Sequence, residues 1–410
     1  MLADKDAGTD IAGTSVVSPP GLPTGIRRSS TFFPELESLR GIAILMVFFH
    51  HIDAFVLPQF YGASIKVPFL LWAFVVEGNS GVSLFFVLSA FLLSLPFLKQ
   101  AAGGKRQSLV QFYKRRALRI LPLYYAAVVF GSLFTTRQPP DLSNAIPYLV
   151  FLNSFVGYTV SLAPYSDVWW SLAAEVQFYL LLPLLPLFLS SRPGRVLGVG
   201  ALVVFVYYYT AFVLQLLVGS FEEQLALAIS VFGRAPAFLL GIVAASIVLR
   251  SGDRIRERLA ANVWVRNGGA DVAFLATWTA MALLLRWVAG YGYWKAEGQA
   301  LHVWHILEGL LWAAIVVQLL LSPLRLKTLF VNPALSRLGT LSYSIYILHV
   351  PLIVLTLQFL RGHFPSALAG WNGATLLAVA GMSAACLVLS ELTYRVIERP
   401  FLVRKAGLEG

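Results

Sequence analysis

Apolar runs long enough to cross a bilayer as a helix, about 20 residues, recur ten times. They lie near 40–57, 81–98, 119–135, 170–190, 196–217, 226–249, 271–289, 300–321, 338–360 and 373–394. An eleventh stretch, 145–161, is shorter, carries Asn153 and Ser154, and is bounded by Pro147 and Pro164. No polar stretch after residue 40 exceeds about 30 residues, whereas a small soluble domain needs about 50. The pattern predicts an all-α polytopic membrane protein of about ten transmembrane helices. Residues 34–402 form the membrane domain. Residues 1–33, rich in Gly, Ser, Thr and Pro, form a disordered tail that lacks the apolar core of a signal peptide, and 403–410 form a second tail.

Composition agrees: 58% of the 410 residues are hydrophobic and 12% charged, about half the charge of an ordinary soluble domain. Charge then sets the topology. With 145–161 left out of the spans, 25 of the 31 Lys and Arg residues fall on the side that holds both tails, five fall on the other, and Arg234 lies within a span. Positive charge marks the cytoplasmic side, so both termini are expected there, in the inner (cytoplasmic) membrane. A span at 145–161 would invert every later loop, so this segment is expected to be re-entrant or interfacial. The net charge of +11 is thus spread over one membrane face, which excludes a nucleic-acid-binding domain. Cys386 is the single cysteine; it permits no internal disulfide and is expected to be buried. No pair of repeated halves with matching broken helices is present, which weakens a transporter reading.

Four stretches put costly ionisable groups inside spans. In "ESLRGIAILMVFFHH", Arg40 and His51 are eleven residues apart, only about 20° off one helical face, with an axial separation of roughly 16 Å. His50 points about 80° away. An interfacial Arg plus a core His would read the same from this helix alone. In "FYKRRALRILPLYY", Arg115, Arg116 and Arg119 share a face near the expected start of a span, where guanidinium forks and the helix dipole suit phosphate; a lipid-headgroup patch is the alternative. In "VWWSLAAEVQFY", Glu175 lies below an aromatic belt. A carboxylate there is catalytic, neutral or paired, with Arg234 as a candidate partner. In "LGTLSYSIYILHVPL", Tyr343, Tyr346 and His349 form a slowly drifting polar stripe that contacts a ligand or joins helices. His302, Trp304, His305 and Glu308 are expected to be interfacial groups, and no metal site is expected.

Taken together, these stretches resemble the acyltransferase-3 family of integral-membrane acyltransferases, in chain order from about residue 34 to 402. "LRGIAILMVFFHH" is similar to its first helix, whose Arg–His spacing selects His51. "GNSGVSLFFVLSAFLLSL" resembles its second helix, with Ala90 where Gly is commoner. "RRALRILPLYY" resembles its Arg-Arg-x-x-Arg motif, "WWSLAAEVQFYLLLP" its Trp-Ser-Leu…Glu…Phe-Tyr motif, and "VIERPF" its terminal motif.

The resemblance implies a ten-helix core that transfers an acyl group, often acetyl, from cytoplasmic acyl-CoA to a hydroxyl. Acceptors in the family are mostly carbohydrates of the cell envelope or exported glycans; some members acylate small molecules. Many members carry a second, extracytoplasmic esterase-like domain, which this sequence does not contain. On this reading Arg40, Arg115, Arg116 and Arg119 hold the phosphates of the donor. His51 acts as the base, a task suited to neutral imidazole, and Glu175 orients it or holds the acceptor. Trp170, Ser171, Tyr343, Tyr346 and His349 line the substrate cavity. A thioester is already activated, so no metal is required. A carrier exporting acyl groups or modified glycans without catalysis, or a sensor that binds acyl-CoA without turnover, would use the same buried charges.

Overall fold

The computed structural model describes residues 33–56, 70–133, 142–155, 166–214, 216–217, 220–291, 299–365 and 373–406. All regular elements among them are helical, and ten helical segments are long and apolar enough to span a membrane. The chain is an all-α polytopic membrane protein. The expected tail at 1–33, except Phe33, lies outside the described residues, as do 156–161 of the expected re-entrant segment and 407–410. The described part of that segment forms only two short turns, Leu142–Ala145 and Ile146–Leu149.

The long helices are α1 (Pro34–Phe55), α2 (Ser80–Ala101), α3 (Leu109–Leu133), α4 (Trp170–Leu181), α5 (Arg192–Val213), α6 (Ala235–Ala261), α7 (Ala270–Tyr291), α8 (Gln299–Leu321), α9 (Pro333–His363) and α10 (Gly373–Thr393). A tight turn carries α4 on to Leu189 past Pro183 and Pro186. α5 leaves Val196, Leu197, Val199, Val203 and Tyr207 exposed, an outward face that suits lipid. Cys386 is buried on α10.

α1 packs chiefly on α9 and α2. Two glycines allow the α1–α9 contact to close backbone to backbone. A methyl at Gly41 would stand 2.1 Å from the Leu335 carbonyl oxygen, and one at Gly339 would stand 1.9 Å from that of Glu37. Lys327 pairs with Glu35 at 2.7 Å across the same junction. Asn332 caps α9, its Oδ1 accepting from the Leu335 N–H at 3.0 Å, and Pro333 follows at the first helical position.

Two helix starts differ from expectation. α3 begins at Leu109, ten residues before the apolar window, with Ser108 Oγ accepting from the Gln111 N–H at 3.3 Å. Lys and Arg are good helix formers, so the helix continues past the apolar run. Arg115, Arg116 and Arg119 therefore stand in its second and third turns. The helix dipole acts within the first turn, so the expected dipole contribution at this cluster does not apply. The run expected at 226–249 is interrupted: a short helix ends at Ile229, and α6 starts at Ala235 with Pro236 in its first turn. Proline costs least in a first turn, where its missing N–H removes no intrahelical bond.

Candidate active site

α1, α2, α3, α4 and α9 line a partly open cleft. Its lining combines three kinds of group, and they intermingle: the Arg116 guanidinium lies 6.0 Å from the Tyr179 ring. Arg40, Arg116 and Arg119 supply cations; Leu88, Leu92, Leu93 and Ile120 supply an apolar wall; Ser89, Glu175, Tyr179, Ser171 and Tyr346 supply polar groups. Arg116 and Arg119 are three residues apart and share a face, whereas Arg115 is not among the lining residues. Arg40 donates to Ser342 Oγ at 3.2 Å and lies 3.8 Å from Glu37. The Nε of Arg116 and the Nη2 of Arg119 are buried atoms without a hydrogen-bond partner. Such donors are rare in native proteins and point to a missing acceptor. Guanidinium groups suit phosphate oxygens. Glu398, from "VIERPF", is buried, accepts from Ser344 Oγ on α9, and interacts electrostatically with Arg119. The motif thus fastens the C-terminal helix behind the arginines.

Glu175 Oε1 accepts from Tyr179 Oη at 2.5 Å and from Ser89 Oγ. Sequence reasoning did not single out either donor. Tyr179 was findable, because it follows Glu175 by one helical turn; Ser89 was not, because it comes from another helix. The drifting stripe on α9 contacts three neighbours in turn. Tyr343 Oη donates to the Ile120 carbonyl of α3 at 2.6 Å. Tyr346 Oη donates to the Val168 carbonyl before α4. That uses its proton, so Ser171 is the donor in the 2.7 Å Ser171–Tyr346 contact. His349 meets α1. A three-residue step turns 300°, a drift of about 60° each time, which carries the stripe across three partners. Trp170 does not line the cleft; its ring lies 4.8 Å from the Arg234 guanidinium.

His51 is half-buried outside the cleft lining, next to Phe55, with ring centroids 6.0 Å apart. Its Nδ1 lies 2.8 Å from the Val47 carbonyl and 3.2 Å from Nε2 of His349. His349 is fully buried and does not line the cleft; its neighbour Tyr346 does. His50 turns away to the Val76 carbonyl, at 2.7 Å. Arg40 and His51 thus both contact α9, as one shared face requires.

A second buried polar group lies apart from the cleft lining. His305 and Glu308 are 2% and 0% exposed, so they are not interfacial groups; the side chain of His302 lies outside the described ones. Glu308 Oε1 accepts from Ser83 Oγ at 2.6 Å and lies 2.8 Å from His305 Nδ1 and 3.6 Å from Arg234. The expected partner of Arg234, Glu175, is replaced by Glu308. The break before α6 places Arg234 at the helix start beside α8, and inter-helix register of that kind is set by packing.

Glu77, in the turn before α2, is 3% exposed. Burial first, then the neighbouring carboxylates of Glu308 and Asp53, push its carboxyl up to about 8. A free glutamate releases its proton near 4.5. The folded protein therefore keeps a proton that the unfolded chain loses between pH 4.5 and 8. Stability is full below that window, falls across it by about 1.4 kcal/mol per pH unit, and levels off above it. Glu77→Gln is expected to melt a few degrees above the parent at pH 8, with the gap closing near pH 4.5. Thermal unfolding in detergent at both pH values measures this, and equal melting at pH 8 refutes it.

The acyltransferase-domain family (Acyl_transf_3) matches residues 33–391. The chain belongs to this family. It is 23% identical to the O-acetyltransferase OatA of Staphylococcus aureus (strain NCTC 8325 / PS 47) over 397 residues, covering 93% of this chain and 58% of that protein. It is 26% identical to the peptidoglycan O-acetyltransferase OatA of Listeria monocytogenes over 409 residues, covering 93% and 57%. It is 27% identical to the acyltransferase MdmB of Streptomyces mycarofaciens over 390 residues, covering 90% and 91%. The chain thus spans less than two thirds of the length of the OatA relatives. No solved structure matches it.

Proposed function

We propose that the protein is a membrane O-acyltransferase of the cytoplasmic membrane. It moves an acyl group, acetyl foremost, from cytoplasmic acyl-CoA to a hydroxyl of a cell-envelope or exported glycan, or of a glycosylated metabolite. The observation that carries this reading is the pair of buried donors on Arg116 and Arg119 that have no partner among the described residues, in a cleft whose Tyr346 adjoins His349 of the His51–His349 pair. Arg40, Arg116 and Arg119 hold the donor's phosphates, and the apolar wall takes its pantetheine arm. His51 removes the acceptor's proton as its oxygen attacks the thioester carbonyl. The acyl–sulfur bond then breaks, and the proton passes from His51 to the departing sulfur. Glu175, held by Ser89 and Tyr179, lines the cleft rather than His51, which suits a role in holding substrate. The names of the O-acetyltransferase relatives support acetyl transfer to a glycan hydroxyl.

Purified protein given labelled acetyl-CoA and an envelope-glycan acceptor is expected to form a labelled, alkali-labile ester. Labelled material accumulating in sealed vesicles without any new ester would instead identify a carrier.

A further inference from the structure

The partners of the two imidazoles determine where their protons lie. A carbonyl oxygen only accepts, so a ring nitrogen bonded to one carries hydrogen. His349 Nδ1 lies 2.8 Å from the Tyr346 carbonyl and 3.0 Å from that of Ile345. Neutral His349 therefore carries its lone pair on Nε2. His51 Nδ1 lies 2.8 Å from the Val47 carbonyl, so it too is protonated, and the His51 lone pair is on Nε2. The shared N–H of His51 then faces the lone pair of His349 Nε2 at 3.2 Å. The rings meet edge to face, centroids 4.8 Å apart and planes at 76°. Phe48 flanks His349 at 6.5 Å, and Phe55 stacks on His51. Each donor in the chain points the same way, and the chain ends at the free lone pair of His51.

We propose that His349 is a positioning residue for His51: its Nε2 shares the His51 Nδ1–H with the Val47 carbonyl, holds the ring with Nε2 presented as the base, and stabilises the imidazolium formed when that nitrogen takes a proton. This rests on the reading of His51 as the base. The usual orienting group for a catalytic histidine is a carboxylate; here a neutral imidazole fills that place. The arrangement holds one extra proton at most. Protonating His349 as well would set two N–H groups against each other across 3.2 Å. The sequence alone suggests that His349 touches substrate. Full burial and absence from the cleft lining instead assign it an action through His51.

His349→Phe keeps a planar ring without an acceptor, and His349→Gln restores an acceptor oxygen. With labelled acetyl-CoA and a glycan acceptor, His349→Phe is expected to lower kcat by about 10–100-fold, leaving KM for both substrates within about twofold. His349→Gln should recover most of the loss. Adding His349→Phe to His51→Ala should cost nothing further, because a positioning residue has no effect once the group it positions is gone. Three results would overturn the proposal: unchanged kcat in His349→Phe, a KM rise at constant kcat, or a full additional loss in the double variant. If His349→Phe does not bind acetyl-CoA, and so has not folded, His349→Leu, which also lacks an acceptor, carries the same comparison alone and combined with His51→Ala. Full activity in His51→Ala removes the base reading together with this one. Loss of activity in His51→Ala beside a fully active His349→Phe removes only the role of His349.

Discussion

Replacing His51 by alanine is expected to lower kcat for acyl transfer by about 10²–10⁴-fold, the range a positioned general base contributes. Binding of acetyl-CoA should stay within about twofold, because His51 stands beyond the cleft lining and touches α9 rather than the arginines. His50 provides the internal control. Its ring meets that of His51 edge to face, but its Nδ1 is held by the Val76 carbonyl and not by α9, so His50→Ala is expected to keep kcat within a few-fold. Steady-state kinetics with labelled donor, together with direct donor binding, separates the two effects. Comparable losses in both single variants would mean that the pair matters for packing alone.

The second large effect falls on donor affinity. Arg116→Ala with Arg119→Ala is expected to raise KM for acetyl-CoA by about 10²–10⁴-fold, since each hydrogen bond to a charged group contributes about 1.5–3 kcal/mol and 1.4 kcal/mol is tenfold. kcat at saturating donor should fall much less. Lysine at both positions restores charge without the fork geometry and should recover part of the loss. Acetyl-pantetheine lacks the nucleotide phosphates, so parent and double variant should use it equally well. A loss of equal size with acetyl-pantetheine would show that the arginines support the fold and not the phosphates. Arg115→Ala, away from the lining, should leave KM within a few-fold.

What the sequence made legible follows from what is local. The Arg40–His51 face needs only helical arithmetic along one element, and both residues contact α9. The ten spans needed only run length. The three-residue stripe on α9 was visible, but its partners on α3, α4 and α1 were not, because they depend on where neighbouring helices stand. The start of α3 was misplaced because apolar length marks membrane depth, whereas helix formation in Lys114, Arg115 and Arg116 follows propensity. The pairing of Arg234 with Glu308 in place of Glu175 lay beyond reach for the same reason as Ser89: each joins residues on different helices.

The contact through Gly41 and Gly339 leaves no room for α1 to slide on α9 without collision between main-chain atoms. The two imidazoles, one on each of these helices, are therefore mounted on a single stiff frame. Motion that admits a bulky donor has to come from the opposite wall, where α3 and α4 carry Arg116, Arg119 and Glu175. Arg116 and Arg119 would move with the incoming molecule while Arg40 and the reacting nitrogen stay still.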